Sequence, residues 1–427
     1  MRFDSSYLGG ELALESDKRM PTFSSLTKNA KRIPLAVAFD VGAIGLFVLV
    51  GLLRVHYGKA VFWDGGVYAR GIKTYLAGGD PYSHSFKLNF VYPPLFLKIG
   101  ALMLAVLPFK AIAGLYLLLH CIAVLLVPFL LLKAWVRIPW LTPSLAVAIF
   151  LCQPGMVAEQ ALFSGNISGI LYALALLAGI PGIRRGRWTW FYLVVLTGSL
   201  IKIPFASLLL LPVLLGERQL VKSSATAAAA VAGTYLQKIA WPDLYRNYID
   251  AVRFQVVGRG DYGFGIVGST RLYHLGSHIP LVHDNIGYVL HIALVGTLIL
   301  GLCFLRRVRR GVLSEDMWNA AVLVAALLIN PRLKAYDVDI IVLPALVLVV
   351  EGFRAAFRQR VQLFLIVVPL LSFAVLLAFD IKAATFCFLV APLLLIFTES
   401  FRPRLSSQAH PGAVFHRGYV TDRPGSY

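Results

Sequence analysis

The sequence predicts an all-α fold in which about twelve helices span a membrane. The chain of 427 residues is 58% hydrophobic and only 14% charged, with a mean hydropathy of +0.75. One soluble core cannot bury so much apolar surface, and long apolar runs separated by short polar segments are typical of a polytopic integral membrane protein. The net charge of +19 comes from Lys and Arg that cluster in those short segments. That placement is typical of membrane orientation signals and argues against nucleic-acid binding.

Twelve apolar runs are the predicted spans. They are 33–53, 111–132, 139–156, 162–182, 188–200, 202–215, 223–240, 286–305, 317–330, 338–350, 361–379 and 382–398. The run at 94–108 reaches only about 21 Å as a helix, against a hydrocarbon core of about 30 Å, and is predicted to be a juxtamembrane helix that does not cross. With this topology the Arg clusters at 184–187, 306–310, 354–360 and 402–404 face the cytoplasm, as do both termini.

The predicted organisation is one transmembrane catalytic domain between two tails. Residues 1–32 form a cytoplasmic tail, 33–398 form the membrane domain, and 399–427 form a second cytoplasmic tail that is predicted to be disordered. The extracytoplasmic loops are 54–110 and 241–285. The run 33–53 lacks a cleavage site and carries Asp40, so it is predicted to be a retained helix and not a signal peptide.

The first extracytoplasmic loop opens with Asp64, an acid where the chain leaves the bilayer. A helix is predicted to follow it, with Arg70 and Lys73 on the polar face. The apolar face is predicted to comprise Tyr68, Ile72, Tyr75 and Leu76. Asp64 has two interpretations at this stage: a catalytic carboxylate, or the N-cap of this helix.

Turn and breaker residues divide the rest of this loop. Gly78-Gly79 is predicted to end the first helix, Asp80-Pro81 to make a turn, and Tyr92-Pro93-Pro94 to start a second helix with proline in its first turn. Asp80 is the second candidate acid of the loop, although its place in the turn favours a structural role.

Other polar residues collect at the predicted extracytoplasmic ends of the helices. They are Glu159, Gln160, Asn166, Lys202, Asn330, Arg332, Lys334, Tyr336 and Asp337, together with Arg246, Arg253, Arg259, Asp261, Arg271, His274, His278 and His283 of the second loop. Ionisable groups at membrane depth are candidates for function, since they are costly to bury. Lys202 has the alternative interpretation of a snorkelling anchor.

Together these groups suit a substrate with an anionic headgroup and a lipid tail. Guanidinium and ammonium groups bind phosphate, and a carboxylate can remove a proton from an acceptor hydroxyl. A lipid-phosphate sugar donor has this chemistry. Tyr and Trp of the loops suit either sugar stacking or anchoring in the headgroup layer, and anchoring is favoured. The four cysteines, at 121, 152, 303 and 387, lie singly in apolar runs without metal-ligand spacing, so neither a metal site nor a cofactor is predicted, and a divalent cation is left open.

DGGVYARGIKTYLAGGDPY followed by FVYPPL resembles the first-loop signature of glycosyltransferase family 87, the membrane mannosyltransferases of the C-type (GT-C) architecture. SGNISGILYALALL resembles its Gly-Gln-x-Asn segment, SLIKIPFASLLLLPVLL a helix with Lys and Pro, and INPRLKAYDVDIIVLP its late Pro-containing segment.

The resemblance implies a polyprenyl-phosphate-sugar donor, inverting transfer of a hexose, mannose in particular, and a lipid or glycan acceptor on the extracytoplasmic face. It implies that Asp64 is the catalytic base and that Lys202 lies near the site. The implied localisation is the bacterial inner membrane. The full set of candidate substrate-binding residues is Arg70, Asp80, Tyr92, Gln160, Asn166, Lys202, Arg271, Arg332, Lys334 and Tyr336.

Two other functions are weighed against this one. A lipid-linked glycan transporter or flippase also has about twelve spans, but its ionisable groups and broken helices would lie near the midplane, and its two halves would resemble each other. No such repeat is visible between 33–215 and 223–398. An oligosaccharide ligase is left open.

Overall fold

The computed structural model describes residues 61–84, 88–136, 162–216, 218–259, 261, 263–265, 285–308, 314–357 and 381–400, with scattered positions between 42 and 56. Within these residues every regular element is a helix, which confirms the predicted all-α class. The helices are α1 Trp63–Leu76, α2 Pro94–Val106, α3 Phe109–Leu130, α4 Ile167–Arg185, α5 Thr189–Ile201, α6 Leu210–Leu214, α7 Leu220–Ala240, α8 Pro242–Arg253, α9 Asn285–Val308, α10 Glu315–Leu328, α11 Ala335–Phe357 and α12 Ile381–Ser400.

Three of the described helical stretches are long and apolar enough to cross a membrane: Phe109–Val136, Ile167–Arg185 and Gly287–Arg307. The first is α3 extended by a π-helical turn over Leu131–Val136. The predicted spans 139–156 and 361–379 and most of 33–53 lie outside the described residues. The fold is therefore that of a helical membrane protein, while the total of twelve spans stays a prediction.

The predicted span 202–215 is not one continuous α-helix. Lys202 is extended, with φ −146°, and is followed by a 3₁₀ helix over Ile203–Leu209 and then by the short α6. Pro204 stands in the first turn of the 3₁₀ helix, where its missing N–H has no consequence. The hydropathy of this run predicted its apolar character correctly but could not predict this break.

The described chain divides into two compact units, Met1–Val194 with Gln237–Ala251 and Val195–Leu236 with Val252–Tyr427. In the first unit α3 packs against α4, and α1 packs against α2. In the second unit α10 packs against α11, and α11 packs against α12. Every residue of α10 from Trp318 to Leu328 is buried, so α10 forms the core of the second unit.

The segment predicted to be the first extracytoplasmic loop has the expected pair of helices. The first helix ends at Leu76 and is followed by Gly78 with φ +78°, and the second begins at Pro94. On the predicted apolar face of α1, Tyr68 is buried, whereas Leu76 is 55% exposed. Val67 and Gly71 are the other buried residues of this helix.

Candidate active site

The predicted catalytic acid, Asp64, is held against the start of α4 by backbone pairing. The N–H of Phe62 donates to the Phe163 carbonyl at 2.5 Å, and the N–H of Asp64 donates to the Ser164 carbonyl at 2.8 Å. Phe62 adopts a left-handed conformation, with φ 56°, just before α1 begins. Such backbone strain in a residue other than glycine is characteristic of functional sites. The pairing places the Asp64 carboxylate next to Asn166.

Asn166 is the N-cap of α4, and one orientation of its side-chain amide satisfies the hydrogen-bonding groups around it. Its Oδ1 accepts from the N–H and the hydroxyl of Ser168, at 3.0 and 2.7 Å. Its Nδ2 therefore points away from the helix, and donates to Asp64 Oδ2 at 2.7 Å and to the Tyr92 hydroxyl at 3.0 Å. Asn166 is only 2% exposed, so one buried amide orients both the carboxylate and the phenol.

Two tyrosines complete this network. The hydroxyls of Tyr68 and Tyr92 lie 2.7 Å apart, and the Tyr68 hydroxyl accepts from the N–H of Ile167 at 3.2 Å. Burial raises the pKa of Tyr68 well above its usual value, and the neighbouring Tyr92 and Asp64 add to this effect. Tyr68 is consequently a neutral hydrogen-bonding phenol. Asp64 itself is half-buried, which leaves the carboxylate within reach of a substrate.

A second layer of contacts fixes the 162–166 turn. The Tyr116 hydroxyl donates to the Gly165 carbonyl at 2.6 Å, and His120 Nε2 lies 3.1 Å from the Leu162 carbonyl. The carbonyl can only accept, so His120 carries its proton on Nε2. The His120 ring also meets the Phe62 ring edge-on, with centroids 5.6 Å apart. Tyr116 and His120 belong to α3, so these contacts hold the segment around Phe62 and the 162–166 turn against that helix.

Replacing Gly165 by Ala is expected to disturb this centre. Gly165 has φ +65°, and a Cβ there would lie 2.8 Å from Cδ1 of Phe62. A left-handed Ala costs about 1–2 kcal/mol, and displacement of a reacting group by about 1 Å can cost 10²-fold in rate. The activity of the purified variant should therefore fall markedly. Gly114→Ala in α3 is the matched control, since nothing lies within 4 Å of its Cβ position, and equal activity of both variants would contradict the expectation.

The N-cap interpretation of Asp64 is wrong in this structure. The N-cap of α1 is Phe62, no side chain caps that terminus, and Asp64 lies in the first turn of the helix. A carboxylate there still interacts favourably with the helix dipole, by about 0.3–1 kcal/mol. The hydrogen bond from Asn166 is a separate contact, from a residue 102 positions away.

The second unit holds a buried ion pair. Lys202 Nζ lies 2.8 Å from Asp337 Oδ1, with the two side chains 10% and 1% exposed, and 4.0 Å from the centroid of the Tyr336 ring. Asp337 Oδ2 also accepts from the N–H of Lys334 at 3.1 Å, which caps the start of α11. Lys202 is thus directed towards a buried carboxylate, and a snorkelling geometry is not observed.

A second cationic cluster lies on the turn before α11. Lys334 Nζ contacts Asp261 Oδ1, and Arg332 Nη2 lies 3.5 Å from Asp261 Oδ2. Burial would raise the pKa of Asp261, but Lys334, with help from Arg332 and Gln255, lowers it below its usual value. Burial lowers the pKa of Lys334 to about 8, and the charge of Arg332 contributes to this while Asp261 opposes it. Asp261 is therefore an ionised counter-charge to two cations.

The other predicted site residues have different environments. Arg70 is half-buried on α1. Asp80 is exposed, and its Oδ1 accepts from the N–H of Tyr82 at 3.0 Å, as expected of a turn residue. Gln160 and Arg271 lie outside the described residues. The structure thus brings Asp64, Tyr92 and Asn166 together in one unit and Lys202, Arg332, Lys334 and Tyr336 in the other.

For three participants the sequence does not predict the role that the structure shows. Tyr68 was assigned only to an apolar helix face, because its spacing matches one, and its hydroxyl role depends on the fold. Ser168 could have been recognised, since Asn-x-Ser at a helix start is typical of side-chain capping. Asp261 stood among many polar residues of the second loop, and nothing in its local sequence marks it as the partner of Arg332 and Lys334.

The chemistry of the first cluster is that of a positioned base. It combines an accessible carboxylate, an amide donor that fixes its orientation, and neutral phenols that can hydrogen-bond a hydroxylated ligand. The second cluster has the cations that bind phosphate, balanced in part by a carboxylate.

Comparison with known protein families gives a match over the middle of the chain. The model of glycosyltransferase family 87 matches residues 90–331, more than half of the 427 residues. Tyr92 and Asn166 lie within the match, whereas Asp64 precedes it and Arg332 and Lys334 follow it. No curated protein and no solved structure matches the chain.

Proposed function

Because the chain belongs to glycosyltransferase family 87, we propose that it transfers a hexose, mannose in particular, from a polyprenyl-phosphate-sugar donor to a lipid or glycan acceptor on the extracytoplasmic face of the membrane. Asp64 is the general base of this transfer, and the anomeric configuration is inverted. Membership of a transferase family favours an enzyme over a transporter or flippase.

The observation that carries the catalytic assignment is the hydrogen bond from Asn166 Nδ2 to Asp64 Oδ2, at 2.7 Å. A bond donated to a carboxylate stabilises its ionised form, which is the form that a base needs. The bond engages one oxygen of a half-buried group and fixes its direction. Since Asn166 is itself held by the N-terminus of α4 and by Tyr92, the carboxylate is oriented before a substrate binds.

The reaction then balances as a single displacement. The acceptor hydroxyl oxygen attacks the anomeric carbon from the face opposite the phosphate. The bond from that carbon to the phosphate oxygen breaks, and its electron pair leaves with the polyprenyl phosphate. Asp64 takes the hydroxyl proton, for which it must lie within about 3 Å of that hydroxyl. Attack opposite to the leaving group accounts for the inversion.

Arg332 and Lys334 are the proposed contacts to the donor phosphate. A guanidinium and an ammonium group provide charge-assisted hydrogen bonds that strengthen as negative charge develops on the leaving oxygen. Lys202 is a weaker candidate for this role than the sequence predicts, because its ammonium group is engaged by Asp337. Arg70, Asp80, Gln160, Arg271 and Tyr336 are further proposed substrate contacts.

The function is tested by incubating the purified protein in nanodiscs with polyprenyl-phosphate mannose, polyprenyl-phosphate glucose and an extracted lipid acceptor fraction. The proposal requires consumption of a polyprenyl-phosphate hexose and release of polyprenyl phosphate, and faster use of the mannosyl donor supports mannose. Consumption of a lipid-linked oligosaccharide alone identifies a ligase. Movement of intact donor across the bilayer without consumption identifies a flippase.

The proposed orientation has its own test, by cysteine labelling in a background without native cysteines. Ser83→Cys in the first loop should react with a membrane-impermeant thiol reagent in cells whose inner membrane is intact, because that loop is extracytoplasmic when the Arg clusters face the cytoplasm. Arg187→Cys, at an exposed position of a cytoplasmic cluster, should react only after permeabilisation. The reverse pattern would overturn the orientation and with it the proposed side of the reaction.

A further inference from the structure

We propose that the Asp261 carboxylate occupies the anion site formed by Arg332 and Lys334, and that the phosphate of an isoprenyl phosphate binds there by displacing it. The identity of this ligand rests on the proposed function. The competition between carboxylate and phosphate goes beyond the proposed function, because in it Asp261 is an internal competitor of the ligand.

The contacts of Asp261 are those that a phosphate group would make. Lys334 Nζ contacts Oδ1, Arg332 Nη2 lies 3.5 Å from Oδ2, and Gln255 Nε2 donates to Oδ2 at 2.7 Å. The backbone carbonyl of Asp261 accepts from Arg332 Nε at 3.0 Å and from Lys334 Nζ at 3.2 Å. A guanidinium, an ammonium and an amide thus converge on the oxygens of one residue, a donor set that suits phosphate at least as well as carboxylate.

Among the residues that the structure describes, the charges of this cluster do not cancel. Two cations face the carboxylate of Asp261, and Lys382 lies near enough for its charge to help lower the pKa of Lys334, after the larger effects of burial and Arg332. An excess of positive charge therefore remains when Asp261 is ionised. A phosphate monoester, with up to two negative charges, neutralises such a cluster better than a carboxylate does. The site should therefore prefer the released isoprenyl phosphate, a monoester, over a diester.

The carboxylate of Asp261 is more exposed to solvent than the two cations, so it lies on the outer side of the cluster. The side chain of Asp261 is 35% exposed, compared with 23% for Arg332 and 15% for Lys334. An anion arriving from solvent would meet the carboxylate first and could replace it without entering the protein core. The cations behind it are held by the turn at the start of α11.

The backbone beside Asp261 is anchored, so we infer that its side chain rotates away while its backbone carbonyl keeps its contacts with Arg332 and Lys334. The N–H of Phe264 donates to the Leu333 carbonyl at 2.6 Å. Gly263 has φ +81°, and a Cβ there would lie 2.3 Å from the Leu333 oxygen. This close approach fixes residues 263–265 against the turn that carries both cations, independently of the Asp261 side chain.

The opposing interpretation is that Asp261 only stabilises the turn. The two interpretations predict opposite signs for Asp261→Asn. If the carboxylate competes, its removal strengthens phosphate binding, and at least tenfold is expected because close charge pairs commonly couple by about 1.5 kcal/mol or more. If the carboxylate is structural, its removal disorders the cations and weakens binding.

The test measures binding of farnesyl phosphate to the purified full chain in detergent by calorimetry. We expect Asp261→Asn to bind at least about tenfold more tightly than the wild type, and Arg332→Gln and Lys334→Gln to bind more weakly. Asp243→Asn is the matched control, since this exposed acid pairs with Arg246 in the same predicted loop, and its affinity should equal that of the wild type. Unchanged or weaker binding by a folded Asp261→Asn protein overturns the proposal.

A measurement on the wild type keeps the proposal testable should the variant not fold. Excess positive charge predicts that farnesyl phosphate binds more tightly than its monomethyl ester, which carries a single charge. Equal affinity overturns the proposal. Sugar transfer is not part of either readout. Tight phosphate binding without donor consumption would therefore contradict only the proposed function, whereas normal transfer with no gain in Asp261→Asn would contradict only this inference.

Discussion

Asp64→Asn is expected to lower the rate of sugar transfer by about 10² to 10⁴-fold, the usual cost of losing a general base. The substitution keeps the size of the side chain and an oxygen that can accept from Asn166 Nδ2, so the geometry of the site is conserved. It removes the capacity to take a proton. Donor affinity should change little, because the effect lies on the chemical step, and kcat should fall with KM nearly constant.

Asp80→Asn is the matched comparison in the same loop. Asp80 is exposed, and its Oδ1 accepts from the Tyr82 N–H, a bond that an Asn oxygen can also accept. At saturating substrate its transfer rate should stay near that of the wild type, because the loss of a proposed substrate contact raises KM and leaves proton removal intact. A folded Asp64→Asn protein that transfers sugar at the wild-type rate would limit Asp64 to a favourable charge in the first turn of α1, and a loss in Asp80→Asn would then move the base to Asp80.

The local features of the first loop were predictable because their causes are local. Pro94 begins α2, Gly78 follows α1 in a left-handed conformation, and Asp80 makes its turn contact, all as short-range rules require. Asp64 and Asn166 were each selected from the sequence. Their contact was not predictable, because it depends on backbone pairing between segments about a hundred residues apart.

Other features have causes that the local sequence does not show. Helical spacing predicted the apolar face of α1, but it could not predict that Tyr68 is buried while Leu76 is exposed. Hydropathy predicted that 202–215 is apolar, but it could not predict that Ile203–Leu209 forms a 3₁₀ helix. The partners of Lys202 and Lys334 are carboxylates distant in sequence, and a count of polar residues at helix ends cannot assign such pairs.

Lys202→Met is expected to lower the free energy of unfolding by about 3–5 kcal/mol, the usual cost of leaving one member of a buried ion pair without its partner. Met retains an unbranched chain that can pack beside the Tyr336 ring, so the loss is mainly electrostatic. The carboxylate of Asp337 is only 1% exposed and would lose the ammonium group that lies 2.8 Å from it. Denaturant unfolding of the purified protein in detergent measures the change.

Adding Asp337→Asn to Lys202→Met should restore most of that stability, because the double variant buries no uncompensated charge and the Asn oxygen can still accept from the N–H of Lys334. The single and the double variant together also distinguish a role of Lys202 in donor binding from a structural role. If Lys202 binds the donor phosphate, the double variant recovers stability but not donor affinity. If its role is structural, it recovers both. Wild-type stability of Lys202→Met alone would show that the buried pair does not stabilise the second unit.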